Sequence, residues 1–119
     1  MDHAMRTREI LSAYAAGDRS FTSLDLDEEV HDFSNTLLAG SDFTGSFICA
    51  SFRGADLKRA IFKNTNVKTC DFSNANLAGA SFEGAVIDGA VFAGANLDRA
   101  LFLGASEQGN TYKSGELPL

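Results

Sequence analysis

The sequence predicts an all-β solenoid, a chain wound into stacked square coils, and three observations carry that prediction. From Phe52 to Phe102 every fifth residue is bulky and apolar: Phe52, Leu57, Phe62, Val67, Phe72, Leu77, Phe82, Ile87, Phe92, Leu97 and Phe102. Two places before each stands a small residue, from Ala50 through Thr65 and Cys70 to Ala100. A period of five fits neither the 3.6 of an amphipathic helix nor the 2.0 of a strand, so the chain must be a repeat that winds. The bulky residues also follow a longer cycle of Phe, Leu, Phe, aliphatic, which makes the unit four pentads. A chain that turns once per pentad closes a square after four, and stacked squares pair through backbone hydrogen bonds at roughly 4.8 Å. Phe52, Phe72 and Phe92 then stack on one face, Phe62, Phe82 and Phe102 on the opposite face, with Leu57, Leu77 and Leu97 between them.

Taken in order, residues 1–20 form an N-terminal helical cap. Thr7 to Ala16 places Ile10, Leu11 and Tyr14 on one helical face and runs into Gly17, a natural stop. Such a helix hides the open core and unpaired edge that a solenoid would otherwise end on. The wound region is 21–105. Phe21, Leu24 and Leu26 begin it in an irregular first coil, and Asp27 to Val30 read as a small insertion. The period then runs through Phe33, Leu38, Phe43 and Ile48, with Thr36, Ser41 and Ser46 as the small residues. From Ile48 to Phe52 the interval is four, so one residue is missing at a corner, without exchanging the Phe and aliphatic columns. Small residues must point inward because four large side chains per layer leave only Ala-sized space. Glycines such as Gly84 and Gly94 end their pentads, where a corner suits positive φ. Residues 106–119 lose the pattern and form a tail that either covers the last coil through Tyr112 and Leu117 or stays unstructured.

The segments ADLKR at 55–59, ANLAG at 75–79 and ANLDR at 95–99 resemble the A(D/N)LXX signature of the pentapeptide repeat family. The resemblance covers roughly residues 31 to 105, and small, polar and bulky positions agree through fifteen consecutive pentads. It implies a right-handed quadrilateral β-helix of about four coils. The sequence departs from the family pattern at Ile61, Val86, Val91 and Leu101, where an apolar residue replaces the usual Asp or Asn. Resemblance also implies two roles: some members imitate a DNA duplex in width and acidity and engage bacterial gyrase, and some small members neutralise a cognate toxin as immunity proteins.

Charge and composition exclude more than they assign. At 119 residues there is room for one domain, and the net charge of -6 with a pI near 4.7 disfavours nucleic acid and anionic lipid, which reward clustered Lys and Arg. Arg53, Lys58, Arg59, Lys63 and Lys68 do form a basic belt, but Glu83 above Lys63 and Asp88 above Lys68 make it a set of inter-coil ion pairs. No stretch reaches the roughly 18 apolar residues of a membrane span, and no signal peptide is present, so the chain reads as cytoplasmic. Cys70 sits at an inward position and Cys49 at an outward one, which argues against a disulfide. The acidic run Asp25, Asp27, Glu28, Glu29, His31, Asp32 lacks the spacing of calcium or zinc ligands and reads as a solvated segment. His3 lies in the N-terminal segment, far from His31, and no GxSxG frame accompanies either. Asp56, Asn76 and Asn96 share a column and read as corner hydrogen-bond acceptors. No catalytic residue, cofactor or metal site is expected, because a filled β-helix has no pocket.

The outstanding feature is a set of outward apolar residues near the C-terminal end: Val91 and Ala93 on one face, Leu101 and Leu103 on another, and Val86 on the face between. They suggest a contact surface of several hundred Å², by the rule that such patches mark interaction sites. Its occupant is a second copy, giving a homodimer, or a different protein, or the tail itself. The sequence therefore predicts a non-catalytic protein-protein interaction module. The alternatives are an acidic DNA mimic acting on gyrase or topoisomerase, whose four coils would span only about 20 Å, and an immunity or antitoxin protein.

Overall fold

Local chemistry at each corner makes the coil. Where the residue before the bulky one is polar, its side chain accepts a hydrogen bond from the backbone N–H two places on: Asn66 from Lys68 at 3.0 Å, Asp71 from Ser73 at 2.9 Å, Asn96 from Asp98 at 3.0 Å. The N–H of the next small residue then bonds back to the bulky residue's carbonyl, as in Ala75 to Phe72 at 3.0 Å. The last residue of the pentad sits at positive φ, whether it is Gly94 (φ 70), Asn74 (φ 59) or Thr69 (φ 61). That combination turns the chain by one corner of a square, four times per coil.

The computed structural model describes residues 5–118, so His3 falls outside the described residues. Helix α1 (Thr7–Ala15) leads into strand β1 (Asp25–Asp32), and β2 (Phe47–Ser51) lies parallel above it. Beyond β2 the coil faces are joined by single parallel bridges rather than long strands: Asp56 to Asn76 to Asn96, and Ser51 to Asp71 to Val91, always twenty residues apart. Between Leu37 and Asp56, Asp42 and Ile61, and Phe47 and Asn66 the spacing drops to nineteen, because of the residue missing after Ile48. The 27–30 insertion is a bulge, where the β1–β2 register shifts between Leu26 and His31. Two short strands, β3 (Ser106–Glu107) and β4 (Asn110–Thr111), form an antiparallel hairpin at the end.

Inside the square the side chains sort into columns. Phe33, Phe52, Phe72 and Phe92 stack face to face at 5.2, 5.1 and 5.2 Å. Across the core, Phe43, Phe62, Phe82 and Phe102 stack at 5.2, 4.8 and 4.8 Å. The two columns meet edge to face, for example Phe72 against Phe82 at 5.4 Å and 87°, the arrangement that ring quadrupoles favour. Three polar side chains at the small position reach a carbonyl of the coil below, Ser46 to Phe21, Thr65 to Phe43, and the Cys70 thiol to Ile48 at 3.3 Å, while Thr36 bonds to Phe33 O of its own coil at 2.6 Å. Only Ser41 Oγ, among buried side-chain polar atoms of the described residues, has no partner.

The lower end is closed by α1. Ile10 is fully buried in the core, Tyr14 donates its hydroxyl to Ala39 O at 2.7 Å, and Thr7 Oγ1 lies 2.8 Å from His31 Nδ1. His31 is thereby explained as a core residue: its ring stacks under Phe33 at 5.9 Å and 9°. Among the described residues no helix is long and apolar enough to cross a membrane.

Two stability predictions follow from this packing. Phe72 is fully buried and touches rings above, below and beside it, so Phe72→Ala should cost about 3–5 kcal/mol in chemical denaturation; an unchanged midpoint would show that the column assignment is wrong. Thr69 is a β-branched residue held at φ 61 under Gly89, at a corner that elsewhere carries Asn beneath Gly. Replacing it by Asn, which tolerates this conformation, should raise stability by about 1 kcal/mol, measured as a higher melting temperature.

Candidate interaction surface

The C-terminal end of the prism differs from every level beneath it. Val91 is 43% exposed, Leu101 and Leu103 are each 52% exposed, Ala93 is exposed, and Val86 is half-buried between its bridge partners Asn66 and Ser106. Val91, Val86 and Leu101 occupy the polar corner position and so forgo its side-chain hydrogen bond. These five residues do not form one flat patch. Val91 and Ala93 flank Phe92, whereas Leu101 and Leu103 flank Phe102 on the opposite face, so together they ring the end.

Inside that ring the core is open on one side only. Phe72 and Leu77 are fully buried, while Phe92 and Leu97, one coil above them, are half-buried along with Ala90 and Ala95. The tail accounts for the asymmetry. The β3–β4 hairpin returns Tyr112 over Phe102, ring to ring at 6.0 Å. The Tyr112 backbone accepts from Gly104 N at 2.9 Å and donates to Ala105 O at 2.8 Å, bonds that a further coil would otherwise make. Leu117 contributes little cover, being more than a third exposed. What remains is a shallow apolar hollow over Phe92 and Leu97, floored by Ala90 and Ala95 and edged by Val91, Glu107 and Pro118. Along it, among the described residues, the N–H groups of Phe92, Gly94, Leu97 and Arg99 and the carbonyls of Ala90 and Ala95 make no backbone hydrogen bond.

The other sequence-derived groups resolve as structural features. Arg53 pairs with Asp71 at 3.2 Å and Lys63 with Glu83 at 3.9 Å, while Lys58 pairs with Asp56 of its own pentad at 3.9 Å. The expected Lys68–Asp88 pair does not form; Asp88 instead accepts the Gln108 N–H at 3.0 Å, tying down the tail hairpin. These pairs are exposed and each contributes well under about 1 kcal/mol. The acidic run lies on the β1 bulge, where the neighbouring Asp27 carboxylate raises the Asp25 pKa from its ordinary value. Among the described residues no group of His, Cys, Asp or Glu is placed to hold a metal. Cys49 and Cys70 are both free, and burial pushes the Cys70 thiol up to about 12. Sequence reasoning missed three exposed apolar side chains at the other end, Val30, Leu37 and Phe47. Leu37 and Phe47 were visible in principle, since they stand at the polar corner position in the columns of Asp56 and Asn66.

Tyr112 makes the tail contact sensitive to alkali. Burial and then the hydrogen bond to Glu107, at 2.8 Å, push its hydroxyl up to about 12 from an ordinary 10.0. The folded state thus holds a proton that the unfolded chain releases first, so its contribution is complete below pH 10 and is lost as pH rises toward 12. Tyr112→Phe keeps the ring on Phe102 and should remove this part of the alkaline loss of stability, measured by denaturation across that range.

Comparisons with known proteins bear on this geometry. The pattern described as pentapeptide repeats matches residues 32–66, 46–74 and 68–104, in 8 copies. No curated protein sequence matches the chain. Among solved structures, the pentapeptide repeat protein Rfr23 from the cyanobacterium Cyanothece 51142 is 25% identical, with 80% of this chain and 64% of that one covered and a TM-score of 0.70. The pentapeptide repeat protein alr5209 from Nostoc Pcc 7120 is 23% identical, with coverage of 98% and 92% and a TM-score of 0.51. QnrB1, a plasmid-mediated fluoroquinolone resistance protein, is 30% identical, with coverage of 76% and 46% and a TM-score of 0.52. The chain thus spans just under two thirds of Rfr23 and less than half of QnrB1. Its square coils are the right-handed quadrilateral β-helix of these neighbours, and the chain belongs to the pentapeptide repeat family.

Proposed function

We propose that this chain is a non-catalytic interaction module that presents a rigid β-helical prism to a protein partner through its C-terminal end. The observation that carries the reading is the half-closed last coil. An apolar hollow with unpaired backbone groups costs solvation that a partner removes, and the same chain seals its lower end with α1. Support for the non-catalytic part is the interior, which side-chain columns fill at every level. Two free thiols suit the cytoplasm, where disulfides are rare.

A second reading, as a modulator of DNA gyrase, is favoured by the 30% identity to QnrB1. Against it, Arg53, Lys58, Lys63 and Lys68 place one cation on each face of a single coil, so no face carries an unbroken line of carboxylates. A supercoiling assay with purified gyrase separates the two readings.

The direct test is affinity capture with the full chain, with Val91→Asp, with the Leu101→Asp, Leu103→Asp pair, and with Lys58→Glu as a control away from the end. We expect a discrete protein retained by the wild type and the control and lost with Val91→Asp or the Leu101, Leu103 pair. Equal capture by all four would overturn the reading. Light scattering on the same samples shows whether the captured protein is a second copy.

A further inference from the structure

Each coil meets the next with a fixed set of hydrogen bonds. Phe72 and Asn74 send their N–H groups up to the carbonyls of Val91 and Ala93, and Cys70 O receives the N–H of Val91. The following pentad repeats this, with Leu77 and Gly79 donating to Asn96 and Asp98 and Ala75 O accepting from Asn96. The upper rim of a coil therefore offers two donors for each acceptor. On the last coil the open half keeps that ratio, with the N–H groups of Phe92, Gly94, Leu97 and Arg99 beside the carbonyls of Ala90 and Ala95.

This ratio selects the occupant. Two copies meeting end to end about a two-fold axis would set donors against donors. A copy stacked head to tail would need the lower rim, which α1 covers with Ile10 in the core. The closed half shows what the rim accepts: an extended backbone at Tyr112, parallel in function to a further coil, with an aromatic ring laid on the Phe column.

We propose that the open half of the rim takes an extended segment of a partner protein as an added strand. Its carbonyls meet the N–H groups of Phe92, Gly94, Leu97 and Arg99, and two bulky apolar side chains five residues apart seat over Phe92 and Leu97. This rests on the interaction reading above and gives that partner a chemistry: a stretch with a small residue two places before each bulky one. A charged side chain on Ala95, which floors the hollow, blocks the segment while leaving lower coils untouched.

The probe is a displayed library of random twelve-residue peptides selected against the full chain, followed by amide hydrogen exchange of the chain with the best synthetic peptide. We expect enriched peptides to carry bulky apolar residues five apart, exchange at Phe92, Gly94, Leu97 and Arg99 to slow by about tenfold or more, and binding to be lost in Ala95→Lys. Should that variant fail to fold, the exchange pattern of the wild type decides alone. Peptides that bind without slowing those amides overturn the added strand yet leave the interaction reading standing. An absence of enriched peptides also overturns it, with the capture experiment still deciding the broader reading. A peptide-free dimer with those amides already protected makes a second copy the occupant and overturns the proposal.

Discussion

Two columns of stacked phenyl rings set the dimensions of this molecule. Their spacing, 4.8 to 5.2 Å through the regular coils, nearly equals the roughly 4.8 Å that hydrogen-bonded strands prefer. Side chains and backbone therefore ask for the same rise, and neither is strained by the other. The edge-to-face contacts between columns then fix the width of the square, leaving the inward small positions room for Ala, Ser, Thr or Cys and nothing larger. Corner chemistry, cap helix and tail all serve to hold or terminate these columns. One column ends in Phe21 below and Tyr112 above. The other ends in His31 below and in solvent above Phe92.

The columns were legible in the sequence because a strict five-residue period assigns each residue to a face without reference to anything distant. The bulge at 27–30 and the missing corner residue after Ile48 were legible for the same reason, as interruptions of that period. What failed to be legible depends on contacts outside the repeat. Lys68 and Asp88 lie in register, yet the hairpin supplies Gln108 N–H, and a backbone donor held close competes well with a mobile lysine. Nothing in the period says that Tyr112 lands on Phe102 rather than on Phe92, since a hairpin of irregular residues sets that choice. Val91, Ala93, Leu101 and Leu103 were identifiable as outward apolar residues. The open core between them was not, because it arises from where the tail stops covering.

The two ends of the prism are unequal in chemistry as well as in cover. Along a coil two N–H groups point up for each carbonyl that does, so one rim is rich in N–H and the other in carbonyls, and no symmetric pairing of like ends satisfies both. A helix on the carbonyl-rich end blocks open-ended stacking into fibres, the usual hazard of a repeat that pairs with itself. Closing one end fully and the other by half leaves room for the one added strand proposed above while denying a second copy the lower rim it would need.

The invariant twenty-residue register between Ser51 and Leu101 has an evolutionary reading. One coil can be duplicated or deleted in frame while every column, corner and terminal contact finds the same neighbours as before. Such a change shifts stability by one nearest-neighbour interface and moves the two ends apart by one strand spacing, without redesigning either. Relatives of very different length can therefore share identical terminal machinery, with length acting as a freely adjustable ruler between the cap helix and whatever the far end holds.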